Sequence, residues 1–400
     1  MKKAHIAISC GGTGGHIFPG LAIADRLVQS GCEVTILISG KQVDKRACES
    51  ISGVSIVELP AVGLKRSELR RFLSSTFQSI RKCRDYFKLH KPDAVFSTGG
   101  FVGVAPILIG RLMGACIFLH ESNTIPGRAN KLLSRFANSV FVGFKFTTRF
   151  FPQKKVRFTG TPVRPDFLNI NKELCRRSLR VDDKRPVLLI VGGSQGAHPI
   201  NELFLKSMPL LKERMSNWKF IHVTGKDDYD TINSAYKEAG LDALVHSFYD
   251  KMSLLLGSAT VVVCRGGASF LAELCAVGVP PLIIPFPYAA DNHQFYNGLA
   301  FVKAGAGRML EQHKATSELL VGMILQLGEE ADLRRENLKA LREFNSNKSA
   351  EIISDIIIQR IKEKSCNALF FEPRKSIFVG NKKNYESDNY SAKEKPMLVK

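Results

Sequence analysis

The run Gly11-Gly12-Thr13-Gly14-Gly15-His16 sets four glycines in front of a histidine. Glycine lets a backbone turn sharply and approach a ligand with no Cβ in the way, and a helix starting at such a turn aims free N–H groups at an anion. His16 adds an imidazole, a side chain able to serve as a general base. The same turn opens many doubly wound domains, dinucleotide oxidoreductases included, and a tight turn without a ligand has the same composition. Downstream, Ile38-Ser39-Gly40 offers no acid for a ribose 2′-hydroxyl, so phosphate is expected and a nicotinamide dinucleotide is not.

Gly192-Gly193-Ser194-Gln195-Gly196-Ala197 forms a second such turn, a further phosphate-sized opening. Arg265-Gly266-Gly267-Ala268-Ser269 leads into a helix bearing Glu273. That helix start suits a diphosphate, with Glu273 one turn on for a diol such as ribose; compensation of the helix dipole is the plain alternative. Phe286 to Gln294 crowds polar side chains at one strand end, as the hydroxyls of a sugar require. Asp228-Tyr229-Asp230 reads as capping or solvated charge, and no catalytic metal is expected. The nine cysteines include no Cys-x-x-Cys and no histidines at zinc spacing, so neither a metal site nor a disulfide framework is indicated.

These turns need strands and helices to hold them. Apolar strands are expected at Ala4–Ser9, Glu33–Ser39, Ser55–Leu59, Ala94–Ser97, Cys116–His120 and Ser139–Val142, with the first helix from Phe18 to Ser30. After Gly160-Thr161-Pro162-Val163-Arg164-Pro165 the pattern restarts, with strands at Val187–Val191, Lys219–Val223, Leu244–His246, Val261–Cys264 and Pro281–Pro285. Alternation of this kind implies an α/β chain of two doubly wound parallel sheets, Rossmann-like, facing a central cleft. The 400 residues, 44% hydrophobic and 24% charged, suit two such domains. Phe101–Leu119 is the most apolar stretch, but its glycines, Pro106 and Arg111 fit a buried helix and strand, so no membrane span is expected.

A net charge of +20 raises nucleic acid or an anionic membrane as partner. From Leu64 to Lys91 nine Lys/Arg face two acids, a net of +7. Leu69, Phe72, Leu73, Phe77, Ile80, Cys83 and Phe87 recur there at helical steps. Such a basic amphipathic helix is either a membrane-surface element or a surface helix with solvated charges. Nothing resembles a nucleic-acid-binding fold, and no nucleic acid partner is expected.

Six segments occur in a telling order. They are Gly11–His16 with Pro19, His120–Asn123 with Pro126, Gly127 and Asn130, Gly160–Arg164, Gly192–Ala197, Arg265–Glu273, and Asp291–Gln294 with Asn297. Over residues 4–362 this set resembles the MurG family of peptidoglycan N-acetylglucosaminyltransferases. The resemblance implies the GT-B glycosyltransferase fold and inverting transfer of GlcNAc from UDP-GlcNAc to the C4 hydroxyl of MurNAc in lipid I, giving lipid II. It implies no cofactor. It also implies a peripheral place on the cytoplasmic face of the bacterial inner membrane, with cell-wall synthesis proteins as further partners.

Roles follow from the resemblance residue by residue. Thr13, Gly14, Gly15 and Asn123 face the donor sugar. Arg164, Ser194, Tyr249, Ala268, Ser269, Phe270, Leu271, Ala272, Glu273, His293 and Gln294 hold UDP-GlcNAc. His16 is the candidate base, a structural or acceptor-binding histidine being the alternative, with His120 and Glu121 in reserve. Leu73, Phe77 and Ile80, flanked by Arg81, Lys82 and Arg84, meet the membrane. Residues 1–160 form the acceptor and membrane-facing domain, 161–345 the UDP-GlcNAc domain, and 346–362 a helix returning to the first. Residues 363–400 are expected to be a disordered tail. Phe101 stands where the family often has tyrosine. Competing readings are a diacylglycerol glycolipid synthase, a UDP-GlcNAc 2-epimerase, and a non-catalytic nucleotide-sugar or nucleic-acid binder.

Overall fold

Strands covered by helices on both faces must be apolar on both, and their side chains alternate between two cores. In β1 (His5–Ser9), Ile6 and Ile8 enter one core and Ala7 the other. The computed structural model describes residues 3–49, 51–63, 69–182, 184–193, 196–345 and 347–370. The first sheet adds β2 (Glu33–Ser39), β3 (Val54–Leu59), β4 (Ala94–Ser97), β5 (Cys116–Glu121), β6 (Ser139–Val142) and β7 (Val156–Phe158). Its helices are α1 (Gly14–Gln29), α2 (Gln42–Cys48), α3 (Leu69–Leu89), α4 (Val104–Leu112) and α5 (Arg128–Leu133).

After α6 (Lys172–Ser178), the second sheet comprises β8 (Val187–Val191), β9 (Lys219–Val223), β10 (Ala243–His246), β11 (Val261–Cys264), β12 (Pro281–Ile283) and β13 (Arg308–Met309). It alternates with α7 (His198–Arg214), α8 (Tyr229–Ala239), α9 (Met252–Ser258), α10 (Ala268–Val277) and α11 (His293–Lys303). The chain continues through α12 (Ser317–Glu329), α13 (Ala331–Phe344) and α14 (Ser349–Phe370).

The strand orders are β3-β2-β1-β4-β5-β6-β7 and β10-β9-β8-β11-β12-β13, parallel throughout. Each order reverses beside its first strand, between β1 and β4 and between β8 and β11. Those two crevices at the carboxyl ends are where such sheets bind ligands. Cys83 and Phe87 of α3, Ile107 of α4 and Leu133 of α5 share one core on one face of the first sheet. Ile17 and Leu21 of α1 lie on the other, joined by Ile353, Ile357 and Ile361 of α14.

Several local readings change, among them the strand expected to reach Pro285, which ends at Ile283. β7 and β13, edge strands of three and two residues, are too short to show a period. α1 begins at Gly14, not Phe18, because Thr13 is extended (φ −155°) and the next two glycines enter the first turn despite their poor helix propensity. β5 runs on to Glu121. α14 passes Lys362, so residues 363–370 of the expected tail are helical, in keeping with their Lys, Glu and Ala. The remainder of that tail, 371–400, lies outside the described residues. No described helix is long and apolar enough to cross a membrane.

Candidate active site

A cavity of about 670 Å³ opens at the carboxyl ends of β8 and β11 and is closed on one side by α1. Gly14, Gly15, Arg164, Tyr249, Ser269, Phe270, Glu273 and Gln294, all expected at the donor, line it. The second glycine turn contributes Gly192, Gly193 and Gly196. Gly196 has φ +80°, and a Cβ there would stand 2.1 Å from the Thr224 carbonyl oxygen, so only glycine closes this turn. Ser194 lies outside the described residues.

α10 starts at the cavity with Gly267 as its N-cap, which supplies no side chain to its first-turn N–H groups. They and the helix dipole are left for an anion. Gln294 uses its Oε1 to accept from the backbone N–H of Gly266 (3.1 Å) and Phe286 (3.0 Å). Its amide nitrogen has no partner among the described residues and remains as a donor. Arg265 clamps the end of β12 through the carbonyls of Ile284 (3.1 Å) and Pro285 (3.2 Å). Asp291 and Asn292, in the polar loop before α11, have φ of +49° and +51°, the left-handed region that Asp and Asn enter more readily than other non-glycine residues.

Glu273 is buried and meets Arg164 at 3.0 Å. Burial pushes its carboxyl up to about 7, outweighing the opposing pull of that guanidinium. Arg164 is itself held between two rings, 4.0 Å from the centroid of Phe18 and 4.6 Å from that of Phe167. A carboxylate and a guanidinium facing one cavity suit a diol and a phosphate.

The first glycine turn is built otherwise. Asp44, at the start of α2, is fully buried and accepts from the Gly12 N–H (2.8 and 3.0 Å) and from the Ser39 hydroxyl. Gly11, at φ +139°, would drive a Cβ to 2.6 Å from the Asp44 carboxylate. A protein carboxylate thus takes the Gly12 N–H that an anion could otherwise use.

His16, in the first turn of α1, is half-buried, with Nδ1 2.9 Å from the Thr98 carbonyl oxygen. A carbonyl only accepts, so Nδ1 carries the proton and Nε2 presents its lone pair. The Thr98 hydroxyl donates back to the His16 carbonyl at 2.8 Å, fixing both ends of the residue. Ser269 of α10 donates to the Gly15 carbonyl at 2.9 Å, bringing the two glycine-rich helix starts together.

His120 and Glu121 do not face the cleft. His120 is fully buried, bonded to the Gly160 carbonyl (3.1 Å) and the Ser122 hydroxyl (3.2 Å), and burial holds it down to about 4. Glu121, also buried, accepts from Asn123 N–H and Nδ2 and from Gly127 N–H and Asn130 Nδ2. Both organise the loop after β5 and are removed as candidate bases. Asn123 is used in the same way, and Asn297 of α11 reaches across to its Oδ1 (3.1 Å) and to the Thr124 N–H (2.9 Å).

Other expectations shift for simple reasons. Consecutive residues of a helix point in different directions, so Leu271 and Ala272 enter the core while Ser269, Phe270 and Glu273 face the cavity. Ala268 is buried at the first position of α10. Thr13 is exposed at the N-cap of α1, and His293 turns back to the Ala290 carbonyl (2.8 Å); neither lines the cavity. Asp228 stands at the N-cap position of α8 without a side-chain cap bond and instead holds His198 Nδ1 (2.8 Å) and Asn201 Nδ2 (2.6 Å), while Asp230 is exposed in the first turn of α8.

Phe18, His198, Phe248, Asp250 and Met252 line the cavity without having been expected to, and Phe286 joins them from the loop expected at the sugar. Phe18 was within reach of a helical argument, being four residues after Gly14. Phe248 and Asp250 follow β10, where the carboxyl-end rule alone points to them.

On α3, Leu73 (58%) and Phe77 (68%) are exposed beside exposed Arg81, Lys82 and Arg84, whereas Ile80 packs against the core. Phe101 meets Phe72 of this helix edge-on at 5.5 Å, which places it with α3.

Two family models match the two domains: the glycosyltransferase family 28 N-terminal domain over residues 6–142 and its C-terminal domain over 187–356. A Geotalea daltonii protein named UDP-N-acetylglucosamine–N-acetylmuramyl-(pentapeptide) pyrophosphoryl-undecaprenol N-acetylglucosamine transferase is 33% identical over 359 residues, covering 88% of this chain and 96% of that one. A Citrifermentans bemidjiense protein of the same name is 34% identical over 349 residues, covering 85% and 96%. The crystal structure of Acinetobacter baumannii MurG superposes with a TM-score of 0.71 at 27% identity, covering 90% of this chain and all of that one. The chain belongs to glycosyltransferase family 28 and, within it, to the MurG family of N-acetylglucosamine transferases.

Proposed function

We propose that the protein transfers GlcNAc from UDP-GlcNAc to the C4 hydroxyl of MurNAc in lipid I, with inversion, forming lipid II. The observation that carries this reading is the joint placement of the open second turn and the uncapped start of α10 around one cavity that α1 closes on one side, with His16 next in the chain to the lining residue Gly15. UDP lies in the cavity with its diphosphate at the start of α10. Glu273 accepts from the ribose hydroxyls, Arg164 turns to a phosphate, and the free amide nitrogen of Gln294 donates to the sugar.

The acceptor enters from the first domain. Nε2 of His16 takes the proton of the C4 hydroxyl as its oxygen attacks the anomeric carbon on the face opposite UDP. The new C–O bond forms as the bond to the diphosphate breaks, and the charge gathering on UDP is met by the α10 N–H groups and dipole. Gly14 and Gly15 leave room for the two substrates to meet. Leu73 and Phe77, with the basic residues around them, dock the enzyme on the cytoplasmic leaflet that carries lipid I.

The test is transfer of labelled GlcNAc from UDP-GlcNAc to a lipid I analogue in the presence of EDTA, with the anomeric configuration of the product read by NMR. A β-linked product is expected. No product overturns the activity, and product only on adding a divalent metal overturns the metal-free mechanism.

A further inference from the structure

The first domain carries a second basic and aromatic surface, separate from α3. Between Ser122 and Pro165 the chain has no Asp or Glu, whereas eight Lys/Arg fall between Arg128 and Arg157. Leu132 and Phe136, at and just beyond the end of α5, are exposed, as are Phe146 and Phe150 of the 3-10 turn Lys145–Phe150. The last two meet edge-on at 5.9 Å. The Arg149 guanidinium lies 4.6 Å from the Phe146 ring centroid, and the Lys131 ammonium 5.3 Å from that of Phe150. Among the described residues, Lys131, Arg135, Lys145, Arg149, Lys154 and Arg157 form no ion pair with a carboxylate.

Scattered surface phenylalanines need no explanation, but several joined to uncompensated cations do. Arginine and phenylalanine suit a protein–protein interface too, but lysine is depleted there, and Lys131, Lys145 and Lys154 belong to this surface. Phenylalanine among lysine and arginine is the composition of a surface that seats its rings at the acyl boundary and its cations on anionic headgroups. The position agrees. α3, α4 and α5 share one core on the same face of the first sheet, so this patch and the exposed side of α3 look out from that face. Arg128, opening α5, meets Asp291 beside the cavity loop at 3.6 Å, so the patch borders the cleft.

We propose that α5 and the Lys145–Phe150 turn are a second contact for an anionic bilayer. Together with α3 it gives the domain two points of attachment, which set how the cleft is tilted over the membrane. The inference rests on the membrane docking proposed above. It is tested by co-sedimentation of the full chain with vesicles containing phosphatidylglycerol and with vesicles of phosphatidylcholine alone. Three variants are compared: Lys131→Glu with Arg149→Glu, Phe146→Ser with Phe150→Ser, and Leu73→Ser with Phe77→Ser. Transfer to a water-soluble acceptor reports that each is folded.

The charge-reversed pair is expected to bind anionic vesicles roughly tenfold or more weakly. The Phe146/Phe150 pair is expected to weaken binding as well, and neither should alter transfer to the soluble acceptor. If both bind as wild type does while the α3 variant fails, the inference is overturned and docking stands. If wild type binds neither kind of vesicle, the docking reading itself falls. Lost affinity for an acidic protein or a nucleic acid with vesicle binding intact would also overturn the inference.

Discussion

The two glycine turns occupy equivalent places, after β1 and after β8, each beside the crevice where its strand order reverses. Each leads into a helix with no side-chain cap, α1 or α7. They differ in what faces them. Asp44 packs against the first turn and takes the Gly12 N–H, so that N–H is not offered to an anion. The second turn opens on the cavity, where the nearby carboxylate, Glu273, is held by Arg164. One buried acid thus turns a phosphate cradle into a rigid wall that carries His16, while its counterpart stays exchangeable for a ligand. Shared topology fixes where a turn comes, and the groups packed against it decide what it does.

If that division is correct, the largest effect comes from the wall. His16→Ala should lower kcat about 100-fold or more and leave the KM for UDP-GlcNAc nearly unchanged, because the imidazole acts on the acceptor. Steady-state kinetics with a lipid I analogue checks this. Near-normal turnover would remove His16 as the base, and a large rise in KM alone would make the first turn part of the donor site.

The next effect belongs to Glu273. Glu273→Ala should raise the KM for UDP-GlcNAc about tenfold or more, the scale of a lost charged hydrogen bond. Its carboxyl lies near 7 in the folded chain, against an ordinary 4.5, so the folded state keeps its proton longer. Stability should therefore be greatest below 4.5 and fall as pH rises to about 7, by on the order of 3 kcal/mol relative to Glu273→Gln. If the ribose needs the carboxylate, KM should fall over the same rise in pH. Denaturant unfolding and KM measured against pH test both, and a Gln variant that titrates like wild type would contradict the assignment.

What was legible in the sequence follows the same division. Strands buried on both faces read as unbroken apolar runs between glycines, so both sheets and both turns could be placed, and His16 with them. The alternation along β5 also contained the fate of His120: it shares the parity of Cys116 and Phe118, which point into a core. Helical direction likewise sends Leu271 and Ala272 to the core side of α10. The pairing of Asp44 with Gly12 spans 32 positions and leaves no local pattern. Nor does the contact of Phe18 with Arg164, which exists only once the two domains face each other.

The smallest expected effect is the most direct probe of the contrast between the turns. Asn in place of Asp44 keeps the shape but loses the charge and part of the accepting capacity shared by Gly12 and Ser39. Stability should fall by roughly 1 kcal/mol, as for one weakened buried hydrogen bond. A looser turn should carry His16 less firmly, so kcat should drop a few-fold with the KM for UDP-GlcNAc unchanged. A tenfold change in that KM, in either direction, would mean that the first turn meets the diphosphate after all. Asp44 would then be tuning the donor site, and the two turns would be two halves of one cradle.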